Sequence, residues 1–372
     1  MRIAVRRAVA FVTVGVLALA ACAPAPDEEP EAVPDPEPVE EPEEVEEPEE
    51  PVEPVDFRGC LVTDAGGVDD RSFNETAFAG LVRAGQELGI ETAVLESTDE
   101  TDYEPNVQAF IDQDCDIIIT VGFLLGDVTE QAAIANPDQL FTIVDFAYEE
   151  TYDNLLGLVF ATEEAAFLAG YVSAAMTESG ILGTYGGIPI PPVTVFMDGF
   201  LAGASFYNEE FGTDVVVEGW DGSDGLFTGD FDSVAEGRNV TDALLEAGAD
   251  IILPVAGPVG EGTATAIEDF GEGLMIWVDT DGVQLLPQYQ PIMLTSIMKN
   301  MDVAVFEAVR AAYEDTFEGG VFVGTLENDG VGLAPFYDFE AEIPQEILER
   351  LAEIEAGIIA GEISVDPADY GF

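Results

Sequence analysis

From Cys60 to Ile297, short apolar runs alternate with amphipathic stretches, and this alternation restricts the fold more than any other feature of the chain. The apolar runs predict strands at Cys60–Asp64, Thr92–Glu96, Asp116–Gly122, Leu140–Asp145, Leu155–Phe160, Ile181–Tyr185, Asp214–Glu218, Asp250–Ala256, Leu274–Asp279 and Ile292–Ile297. Between them, helical periodicity predicts Asn74–Leu88, Pro105–Gln113, Glu163–Met176, Gly199–Glu210, Ser233–Ala247 and Gly260–Phe270. Continuous apolar strands joined by amphipathic helices mean parallel sheets covered on both faces. About ten such strands suit two α/β lobes better than one closed barrel, with a (β/α)8 barrel as the alternative.

The first 56 residues stand outside this pattern. Arg2, Arg6 and Arg7 precede a largely apolar run, Ala8 to Ala20, which is the length of a secretory signal and too short for a membrane span. The run ends Leu19-Ala20-Ala21-Cys22, which resembles a bacterial lipobox at every position. That resemblance implies a signal peptide over 1–21, cleavage before Cys22 and a lipid on its sulfur; an ordinary signal with a chance cysteine is the other reading. Residues 23–56 hold ten prolines and sixteen Asp or Glu. Such a segment buries too little apolar surface to fold, so 22–56 is expected to be a lipid anchor and an extended tether with a reach of roughly 100 Å.

The chain has 76 acidic and 10 basic residues, a formal charge of -66, and no histidine. The net field repels phosphate, which excludes electrostatic binding to nucleic acid or anionic lipid. The lack of histidine excludes His-based triads, imidazole bases and His metal sites. No metal-ligand cluster or activated nucleophile is visible, so no catalytic residue, metal or cofactor is expected. Removing the tether's acidic residues and the signal's arginines leaves 60 acidic and 7 basic residues over 57–372. Such a surface suits a salty exterior, where screening tolerates repulsion.

The polar residues stand where open α/β sheets bind ligands. Asp64, Gly122, Asp145 and Asp279 each close an expected strand at its C-terminal end, and Gly257 lies just past another. The crevice beyond those ends is the ligand site of such sheets. Ser72 and Glu75 have capping-box spacing, which starts a helix there and puts Phe73 and Asn74 in its first turn, facing the crevice. Local packing of Phe73 at the helix start is the competing reading. Lys299 is the one lysine of the chain and ends an apolar segment. Its ammonium is a compact charge with three donors, suited to oxygen acceptors in a pocket.

These residues carry a resemblance. Asp64…Asp70-Arg71-Ser72-Phe73-Asn74, Ile143-Val144-Asp145, Gly199-Phe200-Leu201-Ala202-Gly203, Gly248-Ala249-Asp250-Ile251-Ile252, Ala256-Gly257, Val278-Asp279-Thr280-Asp281 and Thr295-Ser296-Ile297-Met298-Lys299 occur in one order over roughly 57–340. In this the chain resembles the basic membrane protein family of lipoproteins, the purine-nucleoside-receptor type of ABC-transporter substrate-binding protein. The resemblance implies a two-lobed, type I periplasmic-binding-protein fold that closes on a nucleoside. It implies that Phe73 and Phe227 stack on the two faces of the purine, with Phe231 close by Phe227. Asp64, Asn74 and Asp145 would hydrogen-bond the ligand, Asp279 would accept from ribose hydroxyls, Lys299 would donate to ligand oxygen, and Gly257 would let the backbone approach. The expected partners are ABC permease subunits and the membrane through the lipid anchor, at the extracytoplasmic face, with the protein acting as a monomer. The same fold binding riboflavin or a sugar is an alternative, as is a nucleoside hydrolase using paired carboxylates.

The expected division is 57–150 with about 292–335 as the N-terminal lobe, 151–291 as the C-terminal lobe and 336–372 as a helical extension. Cys60 opens the first strand and Cys115 precedes the third. With strand order 2-1-3 these strands are neighbours, about 4.8 Å apart, which brings the two cysteines within disulfide reach at the edge away from the crevice. Two buried free thiols are the other reading.

Overall fold

The computed structural model describes residues 55–372. The expected signal segment, Cys22 and nearly all of the tether lie outside the described residues. The first lobe opens with β1 (Arg58–Thr63), α1 (Phe73–Leu88), β2 (Glu91–Leu95), α2 (Tyr103–Ile111), β3 (Ile117–Val121), α3 (Gly126–Ala135), β4 (Leu140–Val144) and β5 (Leu155–Phe160). The second holds α4 (Thr162–Met176), β6 (Ile181–Gly186), α5 (Pro191–Phe211), β7 (Val216–Glu218), α6 (Val234–Glu246), β8 (Ile251–Val255), α7 (Gly260–Phe270), β9 (Leu274–Asp279), α8 (Gly282–Leu285) and β10 (Met293–Lys299). The chain then runs through α9 (Met301–Tyr313), β11 (Gly320–Gly324), β12 (Val331–Leu333) and α10 (Gln345–Ile359).

Two six-stranded sheets result, ordered β11-β5-β4-β3-β1-β2 and β12-β10-β9-β8-β6-β7. All pairings within them are parallel except β10 with β12. The central strands β3 and β8 are buried along their whole length, as two-sided coverage requires. The barrel alternative is thereby excluded.

The division between lobes differs from the expected one at three strands: β5, β10 and β12, the last of which falls in the expected N-terminal range but pairs with β10 in the second sheet. β5, assigned from sequence to the C-terminal lobe, pairs with β4 in the first sheet. β10, assigned to the N-terminal lobe, pairs with β9 in the second. The chain therefore crosses between lobes at Ala161, at Asn300 and between β11 and β12. The crossings are tied together: Ala161 N donates to the Gly324 carbonyl, and Asn300 N to that of Gly330. A strand's apolar pattern reports burial and not the sheet that buries it, so sequence placed the strands but not the crossings.

α5 begins at Pro191, eight residues before the expected start, because Pro191-Pro192 supplies a helix-compatible φ where no backbone donor is needed. Helices α3, α8 and α9 and strands β11 and β12 were not anticipated, whereas α10 falls in the expected helical extension. Cys60 and Cys115 form a disulfide with Cα atoms 6.1 Å apart. β1 does lie between β2 and β3, with Gly59 opposite Ile117.

Candidate functional site

The C-terminal ends of the two sheets face each other across a pocket lined from both sides, the crevice in which open α/β sheets bind ligands. The first lobe lines it with Asp64, Asp70, Phe73, Asn74, Phe123 and Asp145, the second with Phe196, Phe231, Gly257, Asp279 and Lys299. Asp145 directly follows β4 and Asp279 ends β9. Both have φ of 70°, so each strand end turns its carboxylate by the same left-handed step, which aspartate tolerates better than most residues.

Asp64 follows β1 and accepts a hydrogen bond of 2.9 Å from Asn74 Nδ2. Gly122 is required beside it: a Cβ there would stand 2.2 Å from Asp64 Oδ2, and its φ is 116°. Burial pushes the Asp64 carboxyl up to about 8; the Asn74 bond opposes this, and the nearby charges of Asp70, Asp145 and Asp232 add to it. At neutral pH it thus holds a proton that it can donate. Asn74 is buried, and its Oδ1 has no hydrogen-bond partner, so the site holds an acceptor free to receive a ligand donor.

The helix start is built differently from the expected capping box. Asp70 accepts from the backbone N–H groups of Ser72 (3.0 Å), Asn74 (2.8 Å) and Glu75 (3.0 Å), so it caps α1. Glu75 reaches back to the N–H of Arg71 instead of that of Ser72. The Ser72 hydroxyl is left to donate to Asp279 Oδ2 at 2.7 Å. Burial raises the Asp70 carboxyl above its ordinary range against the pull of its three backbone donors.

Lys299 Nζ donates to Asp145 Oδ2 at 2.5 Å, with the two side chains 2% and 8% exposed. The ammonium also lies 4.9 Å from the ring centre of Phe73, 5.5 Å from Phe160 and 5.9 Å from Phe196, distances at which ring quadrupoles attract a cation. Burial raises both Asp145 and Asp279, and the Lys299 charge works against it in each. The site therefore sets one ammonium among the carboxyl groups of Asp64, Asp70, Asp145 and Asp279.

Seven of the eight expected ligand residues line this one cavity: Asp64, Phe73, Asn74, Asp145, Gly257, Asp279 and Lys299. Phe227 does not. A parallel bridge pins it to Gly186, and its ring packs edge-on against Trp220 with centroids 6.1 Å apart. Phe231, four residues on, swings over Gly187 and lines the cavity instead. Phe123, Phe196 and Asp70 were missed as well. Phe123 directly follows Gly122 at the end of β3, a visible signal; Phe196 sits in an apolar helix where nothing local distinguishes it from core.

The architecture is shared with solved transport proteins. A solute-binding protein of an ABC transporter system from Aeropyrum pernix superposes with a TM-score of 0.76 at 27% identity, over 83% of this chain and 92% of that one. Another, from Conexibacter woesei, matches in fold with a TM-score of 0.66 at 19% identity, over 83% and 98% of the two chains. The lobes have the type I periplasmic-binding-protein fold. An uncharacterised lipoprotein of Pyrococcus abyssi is 31% identical over 281 residues, 73% of this chain and 67% of that one. The ABC transporter nucleoside-binding protein BmpA of Lactococcus lactis is 29% identical over 329 residues, 83% and 89% of the two chains. The family described as ABC transporter substrate-binding protein, PnrA-like, matches residues 58–368. With both sheets and every strand-end residue of the cavity inside that match, the chain belongs to the PnrA-like family of ABC transporter substrate-binding proteins, which bind a substrate rather than transform it.

Proposed function

We propose that this substrate-binding protein captures a purine nucleoside at the extracytoplasmic face of the membrane, held there by a lipid on Cys22, and delivers it to ABC permease subunits. The observation that carries the reading is the lining of the inter-lobe cavity. Phe73 comes to it from the first lobe and Phe231 from the second, among Asp64, Asn74, Asp145, Asp279 and Lys299. Two aromatic residues suit a flat base, with stacking worth about 1–3 kcal/mol per base contact. Carboxylates and an ammonium suit the hydroxyls and ring nitrogens of a nucleoside through charge-assisted hydrogen bonds. The charge of Asp70, Asp145 and Asp279, set against a single ammonium, disfavours a phosphate, so the ligand is the nucleoside and not the nucleotide. The nucleoside-binding name of the Lactococcus lactis relative supports the same class.

The test is a thermal-shift screen over purine and pyrimidine nucleosides, free bases, nucleotides, riboflavin and sugars, since a ligand that binds the folded state raises the melting temperature by mass action. Purine nucleosides are expected to give the largest shift. A shift confined to riboflavin or sugars overturns the purine reading, and release of free base on incubation overturns simple capture.

A further inference from the structure

We infer that Ser72 is a positioning residue of the closed clamp: its hydroxyl crosses from the first lobe to hold the Asp279 carboxylate of the second, and so couples lobe closure to assembly of the site. The inference rests on the nucleoside-binding reading above.

Serine at the start of a helix ordinarily turns its oxygen back to accept a backbone N–H of the first turn. Ser72 makes no such bond. Asp70 has taken over the helix start by binding three backbone N–H groups, which frees the hydroxyl to point outward. It donates instead to Asp279 Oδ2 at 2.7 Å, across 207 residues of sequence. Ser72 is fully buried and Asp279 is 6% exposed. On its other side Ser72 approaches Gly257, where an added Cβ would lie 3.7 Å from both Cβ and Oγ of the serine. One first-lobe side chain is thus seated between two second-lobe strand ends.

The energetic argument concerns Asp279. Among the described residues, Ser72 is the one side chain that hydrogen-bonds its carboxylate; Lys299 acts on it through charge alone. Asp279 lines the ligand cavity, and a second cavity, lined in part by Arg71, Asn300 and Asp302, reaches both Ser72 and Asp279. When the lobes part, Asp279 regains water. When they close, burying the carboxylate is costly unless a donor replaces that water. Ser72 supplies this donor only in the closed arrangement, and it leaves the other oxygen, Asp279 Oδ1, for a ligand.

The experiment compares wild type, Ser72→Ala, Asp279→Ala and the double variant for binding of adenosine, guanosine and inosine, by calorimetry and stopped-flow fluorescence. Ser72→Ala is expected to weaken binding about tenfold to a hundredfold, the usual range for a hydrogen bond to a charged group. The loss should appear in the dissociation rate, with the association rate and the melting temperature of the ligand-free protein unchanged. In the Asp279→Ala background, Ser72→Ala should add nothing. Wild type that binds none of the three overturns the nucleoside reading and this inference with it. Wild type that binds while Ser72→Ala matches it overturns this inference alone. So does an equal loss in both backgrounds, or a Ser72→Ala protein whose ligand-free melting temperature falls while its dissociation rate holds, because either outcome makes Ser72 a local contact of the helix start.

Discussion

Lys299 Nζ meets Asp145 Oδ2 at 2.5 Å, a buried bond between the last residue of β10 in the second lobe and the residue after β4 in the first. The pair belongs at once to the cavity and to the contact between lobes. Removing one partner of a buried ion pair usually costs about 3–5 kcal/mol, because the other is left uncompensated. Here the cost has an outlet: an opened cleft returns Asp145 to water.

Lys299→Met is therefore expected to act on closure more than on folding. The melting temperature of the ligand-free protein should change little, while the ligand-induced rise in melting temperature should largely disappear. Paired melting curves with and without a purine nucleoside read both quantities. A large drop in the ligand-free curve with a normal ligand shift would make the lysine a structural ion-pair partner.

The aromatic residues give a graded test. Phe73→Ala and Phe231→Ala should each weaken nucleoside binding about tenfold or more, from about 1–3 kcal/mol of lost stacking. Phe227→Ala should instead lower the melting temperature, since the ring covers Gly186 and packs on Trp220, and should leave affinity closer to wild type. Equal affinity losses for Phe227→Ala and Phe231→Ala would return Phe227 to the cavity.

Asp64 predicts a pH dependence whose sign follows from burial. Its carboxyl is raised from 3.8 to about 8 in the fold. Between those values the folded state holds a proton that the unfolded state has released. The contribution to stability is therefore complete below about pH 4 and is lost as pH rises through 8. Asp64→Asn removes the dependence. The variant should melt a few degrees above wild type at pH 8 and show little difference at pH 4, as differential scanning calorimetry would record. A variant less stable than wild type at pH 8 would mean that Asp64 is buried as a well-compensated anion.

The Cys60–Cys115 disulfide joins residues 55 apart in sequence. Closing a loop of that size restricts the unfolded chain by an amount worth about 4 kcal/mol in the entropic account. Cys60→Ser/Cys115→Ser should unfold at a clearly lower denaturant midpoint, with nucleoside affinity unchanged, because the bond lies at the sheet edge opposite the cavity. Coincident unfolding curves for the two proteins would argue against it.

With 60 acidic residues against 7 basic over 57–372, the folded part of the chain repels itself. Salt screens that repulsion over a Debye length that falls from about 10 Å at 0.1 M to about 3 Å at 1 M. The melting temperature should rise over that interval in sodium chloride; one that stays level would show that the acidic surface is already compensated.

Much of this was legible in the sequence because it depends on short-range pattern. Apolar runs of strand length fixed where the chain crosses a sheet, and the residue ending each run marked the crevice, so Asp64, Asp145, Asp279 and Lys299 were identifiable without coordinates. Strand order within the first lobe was enough to bring Cys60 to Cys115. Tertiary structure decided the rest. It moved β5, β10 and β12 to their sheets, put Phe231 in place of Phe227, gave the helix cap to Asp70 and turned Ser72 to Asp279. Apart from the Asp70 cap, which is local, these outcomes depend on partners remote in sequence, 207 residues for Ser72 and Asp279, as does the Lys299–Asp145 pair, 154 residues apart. Local propensity sets how a segment folds and which face it buries. Which remote groups meet is set only when two lobes, each satisfied within itself, come together around their strand ends.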